Sequence, residues 1–191
     1  GTFGTPSECH HIPFMEAVTP ERTFDAAMCL MQAGANVVKM EGGAWLAETV
    51  HVLKRNGVPS CVHLGLTPQS VNAFGGYKVQ GREKAAADQL LEAVRELDDA
   101  GTALFVLECV PADLGRRVTE IVAAPVISCG AGPHCDGQVV VTYDMLGLTP
   151  GKPPKFVKNF MEAAQGNITD AVRAYHQAVM AGSFPAPEHC Y

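Results

Sequence analysis

The chain has few of the features that mark nucleic-acid-binding and membrane proteins. Only 18% of its 191 residues are charged, and acidic residues outnumber basic ones, so that the net charge is −6. A surface of that sign disfavours nucleic acid as a partner, because phosphates attract basic side chains. No apolar run approaches the roughly 18 residues that cross a bilayer, so no membrane partner is predicted.

The seven cysteines lack the spacing of zinc and redox sites. No two of them form a Cys-x-x-Cys motif. Four lie in apolar segments, where a free thiol behaves as a small hydrophobic side chain: Cys29, Cys61, Cys109 and Cys129. An odd number of scattered cysteines favours a reducing compartment. We therefore expect a cytoplasmic protein, or a mitochondrial one if the source is eukaryotic.

What the chain does contain is a regular alternation of strand and helix patterns. Apolar runs predict strands at 36–41, 59–64, 102–108 and 125–129, with a weaker candidate at 9–12. Helical spacing predicts helices at 20–34, 44–56, 82–100, 112–123, 153–164 and 168–181. Strands separated by helices of this length form βα units with a parallel sheet. No repeat or linker divides the chain, so we expect one domain over residues 1–191.

Charged residues lie at the ends of two predicted strands. The run Val-Val-Lys-Met-Glu ends at Glu41, and Leu-Phe-Val-Leu-Glu ends at Glu108. Residues i and i+2 of a strand share a face, so Lys39 and Glu41 point the same way. A solvated position at the start of a loop would explain either glutamate alone. Both together, with the lysine, predict a site, because the carboxyl ends of strands form the active-site rim of a βα barrel.

The connection over residues 63–82 is a second candidate region. Loops longer than about 12–15 residues are usually functional or disordered. This connection is too rich in Leu, Val, Phe and Tyr for disorder, and it offers hydrogen-bonding side chains such as Gln69. His63 stands at a strand end in line with Glu41 and Glu108. We therefore interpret His63 as a substrate-binding residue rather than as a structural histidine.

Several segments resemble one known family. They are VVKMEGG (37–43), HLGLTPQSVNAFGGYKVQGR (63–82), LFVLECVP (104–111), PKFVKNF (154–160) and FPAPEHCY (184–191). Over residues 11–191 the chain resembles ketopantoate hydroxymethyltransferase. The resemblance implies a (β/α)8 TIM barrel of the phosphoenolpyruvate/pyruvate type, of which residues 1–191 form an incomplete part. The family's first two βα units are expected to precede this part. A homo-oligomer, often a decamer in bacteria, is also implied.

The resemblance implies a reaction and a role for four residues. The reaction is hydroxymethyl transfer from 5,10-methylenetetrahydrofolate to 3-methyl-2-oxobutanoate, which gives ketopantoate in pantothenate biosynthesis. Glu108 would be the general base, and Lys39 would contact the substrate carboxylate. Glu41 would belong to a Mg²⁺ site, and His11 stands where the family has a metal-binding Asp. The role of His63 rests on its position alone. The chemistry is consistent, since enolate formation needs a base and a divalent cation stabilises the charge that develops.

Two other hypotheses remain open at this point. In the first, the chain is a truncated, catalytically inactive barrel that acts as a partner subunit or survives as a remnant. In the second, it is a folate-independent, Mg²⁺-dependent aldol-type lyase on a 2-oxo acid. Binding of Mg²⁺ and the 2-oxo acid would distinguish an enzyme from the inactive barrel. Folate dependence of turnover would distinguish the transferase from the lyase.

Overall fold

A parallel β-sheet forms the centre of the computed structural model, which describes residues 9–14, 16–17 and 19–191. Within these residues the sheet has six strands: β1 (Cys9–His11), β2 (Val37–Glu41), β3 (Ser60–Gly65), β4 (Leu104–Glu108), β5 (Val126–Cys129) and β6 (Gly137–Gln138). Every neighbouring pair is parallel, and the order across the sheet is the order along the chain. The five predicted strands are confirmed, and β6 was not predicted.

Helices connect the strands. They are α1 (Pro20–Gln32), α2 (Ala47–Arg55), α3 (Val71–Phe74), α4 (Lys84–Ala100), α5 (Ala112–Ile121), α6 (Thr142–Met145) and α7 (Ile168–Met180), with short 3-10 turns at Ala44–Leu46, Pro68–Ser70 and Pro187–His189. The start of α1 is as the sequence predicts. The Thr19 hydroxyl accepts the Arg22 N–H at 3.4 Å, and Pro20 occupies the first helical position, where no donor is needed. No helix of the described residues is long and apolar enough to cross a bilayer.

The larger helices pack on one face of the sheet. Helix α1 contacts α2, α2 contacts α4, and α4 contacts α5. Right-handed crossovers between strands in sequential order place successive helices on the same side. The sheet residues buried beneath the helices are Val38, Met40, Val62, Leu64, Phe105, Leu107 and Val126. The opposite face lines a concave cavity of about 950 Å³. The sheet therefore curls as part of a barrel, with helices outside and the cavity inside.

The helix predicted over residues 153–164 is wrong, because this segment forms turns. Phe156 and Phe160 have the spacing of one helical face, which produced the prediction. In the structure Phe156 packs beside the end of β5, whereas Phe160 packs in a separate cluster with Phe184. The Phe160 N–H donates to the Met145 carbonyl at 2.8 Å rather than to its own segment. The two phenylalanine rings are thus buried in two separate apolar clusters and do not lie along one face of a helix.

The cluster around Phe160 docks α7 beside the last strand. The Phe160 ring meets Tyr175 and Phe184 edge-on, with centroids 5.5 and 5.4 Å away. The Tyr175 hydroxyl donates to the Gln138 carbonyl at 2.8 Å. These contacts hold α7 and Phe184 beside β6, and Tyr191 packs beside the carboxyl ends of β4 and β5, against the cluster that contains Cys109 and Cys129.

Candidate active site

Alternate residues of the strands point into the cavity. The sheet residues that line it include Cys9 and His11 from β1, Lys39 and Glu41 from β2, Cys61 and His63 from β3, Leu104, Val106 and Glu108 from β4, and Ile127 and Cys129 from β5. The two-residue period of a strand explains this set, because it directs every second side chain to the same face. The predicted orientation of Lys39 and Glu41 is therefore confirmed. The charged residues collect at the carboxyl ends of the strands.

His63 lies at the centre of the site, between two carboxylates. It pairs with Glu41 of β2 on one side and with Val106 of β4 on the other. Its Nδ1 is 3.4 Å from Glu41 Oε1, and its Nε2 is 3.1 Å from Glu108 Oε2. Neither ring nitrogen has a partner of good hydrogen-bond geometry among the described residues. The contact is therefore mainly electrostatic, and the three predicted residues Glu41, His63 and Glu108 do come together.

Burial and charge act in opposite directions on this cluster. Burial lowers the pKa of His63, but the carboxylates of Glu108 and Glu41 outweigh burial and raise it overall. Burial likewise works to raise the pKa of Glu41, yet His63, the Gln69 N–H and Lys39 lower it to about 2. The Glu41 carboxylate is thus held ionised, and a positive charge on His63 is favoured.

Residues of four elements contact the Glu41 carboxylate: β1, β2, β3 and the 3-10 turn Pro68–Ser70. Lys39 Nζ lies 3.3 Å from Glu41 Oε1, and His11 Nε2 lies 3.4 Å from the same oxygen. The Gln69 N–H donates to Glu41 Oε2 at 2.9 Å. The Gln69 side-chain amide in turn lies 3.2 Å from His11 Nε2 and donates to the Ile12 carbonyl at 3.2 Å. Glu41 is therefore fixed in position, and the 63–82 connection folds back over the site.

Sequence reasoning noticed Gln69 only as a polar residue and gave it no role. Its contribution comes from a backbone N–H in the 3-10 turn Pro68–Ser70 that follows β3. The side-chain pattern of a sequence does not predict which backbone N–H will donate to a site. The run of turn-forming residues after the strand was the one available signal that the chain reverses over the site.

Glu108 differs from Glu41 in its surroundings. Its side chain is 15% exposed, against 2% for Glu41. It lines a cavity whose walls also carry the apolar residues Leu104, Val106 and Ile127. A carboxylate beside an apolar wall can remove a proton from a carbon acid. Lys39 lines the same cavity and supplies a cation for an anionic group.

The described residues bring together only part of a set of metal ligands. Among them, no three His, Cys, Asp or Glu side chains are placed to hold a metal ion. The groups nearest Glu41 include the imidazoles of His11 and His63, whereas Mg²⁺ prefers oxygen ligands. Glu41 could supply one carboxylate oxygen and His11 one nitrogen. No step of the chemistry proposed below therefore runs through a metal.

The chain is similar to one family of enzymes. The model of the family described as ketopantoate hydroxymethyltransferase matches residues 8–187. A 3-methyl-2-oxobutanoate hydroxymethyltransferase from Alcanivorax borkumensis is 62% identical over 180 residues, which are 94% of this chain and 68% of the relative. The protein of the same name from Yersinia enterocolitica is 56% identical with the same coverage of both chains.

Solved structures are more distant. A dihydrodipicolinate synthase from Oceanobacillus iheyensis aligns with a TM-score of 0.41 and 16% identity, over 64% of this chain and 42% of that one. The family model and the relatives above 50% identity agree with the motifs at the strand ends: the chain belongs to the ketopantoate hydroxymethyltransferase family, whose members are transferases.

Proposed function

We propose that this chain catalyses hydroxymethyl transfer from 5,10-methylenetetrahydrofolate to 3-methyl-2-oxobutanoate, giving ketopantoate for pantothenate biosynthesis. The names of its relatives support this proposal. The observation that carries it is the placement of Lys39 and Glu108 in one cavity with apolar walls. A 2-oxo acid with a branched aliphatic group needs that combination: a cation, a base and an apolar surface.

The proposed binding mode follows from the charges. The substrate carboxylate binds Lys39, and its isopropyl group packs against Val106 and Ile127. This places C3 near Glu108, whose carboxylate removes the C3 proton. The electron pair of the broken C3–H bond forms the enolate, and C3 then bonds to the one-carbon unit of the folate. One of the two C–N bonds of that unit breaks as the C–C bond forms, and the hydroxyl of one water replaces the other nitrogen, so that a hydroxymethyl group stays on C3. Tetrahydrofolate leaves with one proton from C3 and one from the water.

His63 acts on the base in this scheme. The contact of 3.1 Å between His63 Nε2 and Glu108 Oε2 holds one carboxylate oxygen and leaves the other directed at substrate. Direct contact between His63 and the substrate stays a prediction.

Further features of the family remain proposals for this chain. They are a Mg²⁺ ion held in part by Glu41 and His11, closure of the sheet into a (β/α)8 barrel of the phosphoenolpyruvate/pyruvate type, and a cytoplasmic homo-oligomer such as a decamer. The sequential strand order with helices on one face supports barrel closure.

One observation favours the alternative of an inactive barrel that serves as a partner subunit. The described residues offer no three-ligand metal site. If enolate formation in this chain requires a metal, then groups outside the described residues have to complete the site.

Product formation tests the proposal. The purified chain is incubated with Mg²⁺, 3-methyl-2-oxobutanoate and 5,10-methylenetetrahydrofolate, and ketopantoate is measured by mass spectrometry. We expect Glu108→Gln to lower the rate at least about 100-fold, the usual range for a general base. Glu92→Gln is the matched control, since Glu92 is exposed on α4. No product from the unmodified chain, beside an active relative, would contradict the proposal. Product formed from formaldehyde without folate would favour the lyase.

A further inference from the structure

We propose that Tyr191 is a positioning residue for Glu108 and acts through Cys109, which follows the base in the chain. This inference deepens the proposed function and depends on it only for the kinetic part of its test. It rests on the backbone conformation at Cys109 and on the contacts that converge there from residues 187–191.

Cys109 has an unusual backbone conformation. Its φ is +47°, in the left-handed region that side chains other than glycine rarely adopt. Such a conformation costs on the order of 1–3 kcal/mol and persists only where the surroundings hold it. Because Cys109 directly follows Glu108, its dihedral angles help to set the direction in which β4 ends and hence where the base points.

Neighbouring strands and loops hold the backbone of these two residues. The Cys109 N–H donates to the Cys129 carbonyl at 3.0 Å, and the Gln80 N–H donates to the Cys109 carbonyl at 2.9 Å. The Leu66 N–H donates to the Glu108 carbonyl at 2.9 Å. The main chain is therefore fixed on three sides, and the side chain of Cys109 is the remaining point of support.

Tyr191 supplies support at that side chain. Cys109 is 5% exposed and belongs to a cluster with Leu66, Cys129 and Phe156, against which Tyr191 packs. Burial, together with the neighbouring Cys109 thiol, raises the pKa of Tyr191 to about 12, so its hydroxyl stays protonated. In the proposed arrangement that hydroxyl donates to the sulfur of Cys109, against whose cluster the Tyr191 ring packs.

The segment around Tyr191 is itself anchored. The Ala112 N–H, at the first position of α5, donates to the Tyr191 carbonyl at 3.1 Å. Lys155 donates to the Cys190 carbonyl, and its Nζ lies 5.8 Å from the centroid of the Tyr191 ring. The Phe156 ring meets Tyr191 edge-on at 6.5 Å. The contacts thus join residues 190–191 to both ends of the turn between β4 and α5.

Removing the Tyr191 hydroxyl should let Cys109 relax towards a common conformation and move the Glu108 carboxylate away from His63. Substrate binding through Lys39 on β2 should change little, since β2 is two strands away. The expected signature is a lower kcat with a nearly constant KM for the 2-oxo acid. If Tyr191 had a purely structural role, Tyr191→Phe would change the free energy of unfolding without lowering kcat selectively over KM.

The kinetic test uses Tyr191→Phe, with Tyr175→Phe as the matched control, because Tyr175 also donates one hydroxyl hydrogen bond in a packed cluster. We expect Tyr191→Phe to lower kcat about tenfold, as a sub-ångström shift of a catalytic group would, with KM within about twofold. Tyr175→Phe should keep the kcat of the unmodified chain. In a Cys109→Gly background, where glycine adopts positive φ without support, Tyr191→Phe should have no further effect. Equal kcat losses in the two tyrosine variants, or an undiminished effect in that background, would overturn the proposal.

A second readout does not need turnover. The ring ¹⁵N signals of His63 should move in Tyr191→Phe, because His63 Nε2 contacts Glu108, while those of exposed His51 on α2 stay in place. Tyr175→Phe should move neither set. Unchanged His63 signals in Tyr191→Phe would overturn the positioning role. If the unmodified chain makes no product, the proposed function fails, and this comparison still decides the positioning role.

Discussion

His63 joins the two carboxylates of the site and is itself almost fully buried. Its ring lies within 3.4 Å of Glu41 and 3.1 Å of Glu108. Removing one partner of a buried ionic group costs about 3–5 kcal/mol, because the remaining charge is left uncompensated. Since Glu41 keeps Lys39 and Gln69, we expect His63→Leu to lower the free energy of unfolding by about 3 kcal/mol, at the low end of that range.

Urea denaturation of His63→Leu beside His51→Leu measures this effect. His51 is exposed on α2, so its replacement should change the free energy of unfolding by less than about 0.5 kcal/mol. Equal stability of the two variants would show that the His63 contacts contribute nothing net.

Lys39 is the residue assigned to the substrate carboxylate. A hydrogen bond to a charged group contributes about 1.5–3 kcal/mol, which corresponds to roughly a tenfold to hundredfold change in affinity. We expect Lys39→Met to raise KM for 3-methyl-2-oxobutanoate by that factor in steady-state kinetics. Lys84→Met is the control, since the Lys84 side chain is 90% exposed. An unchanged KM in Lys39→Met would mean that Lys39 serves only as a partner of Glu41.

The sequence predicted these residues to different degrees. Lys39, Glu41 and Glu108 follow from the two-residue period and from charge at strand ends, which are local properties. Gln69 and Tyr191 could not be assigned in this way. Gln69 acts through a backbone N–H, and Tyr191 reaches Cys109 from 82 positions further along the chain. Contacts of this kind depend on the tertiary fold, which no local pattern encodes.

At the scale of elements, Gly65 controls how β3 meets the end of β4. A Cβ on Gly65 would lie 2.2 Å from the Glu108 carbonyl oxygen, a contact that only a shift of the backbone could relieve. Gly57 is a matched control, because it also has positive φ, +74° against +84°, but has no atom within 4 Å of its Cβ position.

We expect Gly57→Ala to cost about 1 kcal/mol for the left-handed conformation alone. Gly65→Ala should cost about 3 kcal/mol or more, because it adds a backbone clash to the same conformational penalty. The free energies of unfolding in urea give both values. Similar losses in the two variants would show that β3 and β4 separate easily at this point, and the proposed rigidity of Glu108 would then be wrong.

Strand and helix prediction succeeded where packing follows a local period. Helices α1, α4 and α7 lie within two residues of their predicted bounds. The helix at 153–164 failed because Phe156 and Phe160 enter different clusters. Strand β6 was not predicted, because a strand of only two residues, Gly137 and Gln138, is too short to show a periodic pattern.

At the scale of the whole molecule, the parallel sheet and its strand order follow from the alternation of strands and helices. Right-handed crossovers then place the helices on one side and leave the other face for the cavity. The curvature of the sheet and the closure of a barrel are set by the stagger between strands, which composition and spacing do not express. The cavity therefore emerged only from the structure, although most of its charged residues were predicted.

The function proposed for the whole molecule depends on one event, the removal of the C3 proton by Glu108. The most direct measurement is exchange of that proton with solvent: 3-methyl-2-oxobutanoate is incubated with the protein and Mg²⁺ in D₂O without folate, and ¹H NMR follows the C3 signal. We predict exchange with the unmodified chain and with Glu92→Gln, and a rate at least about 100-fold lower with Glu108→Gln. Exchange that is equally fast with Glu108→Gln, or absent with the unmodified chain, would contradict the assignment of Glu108 as the base.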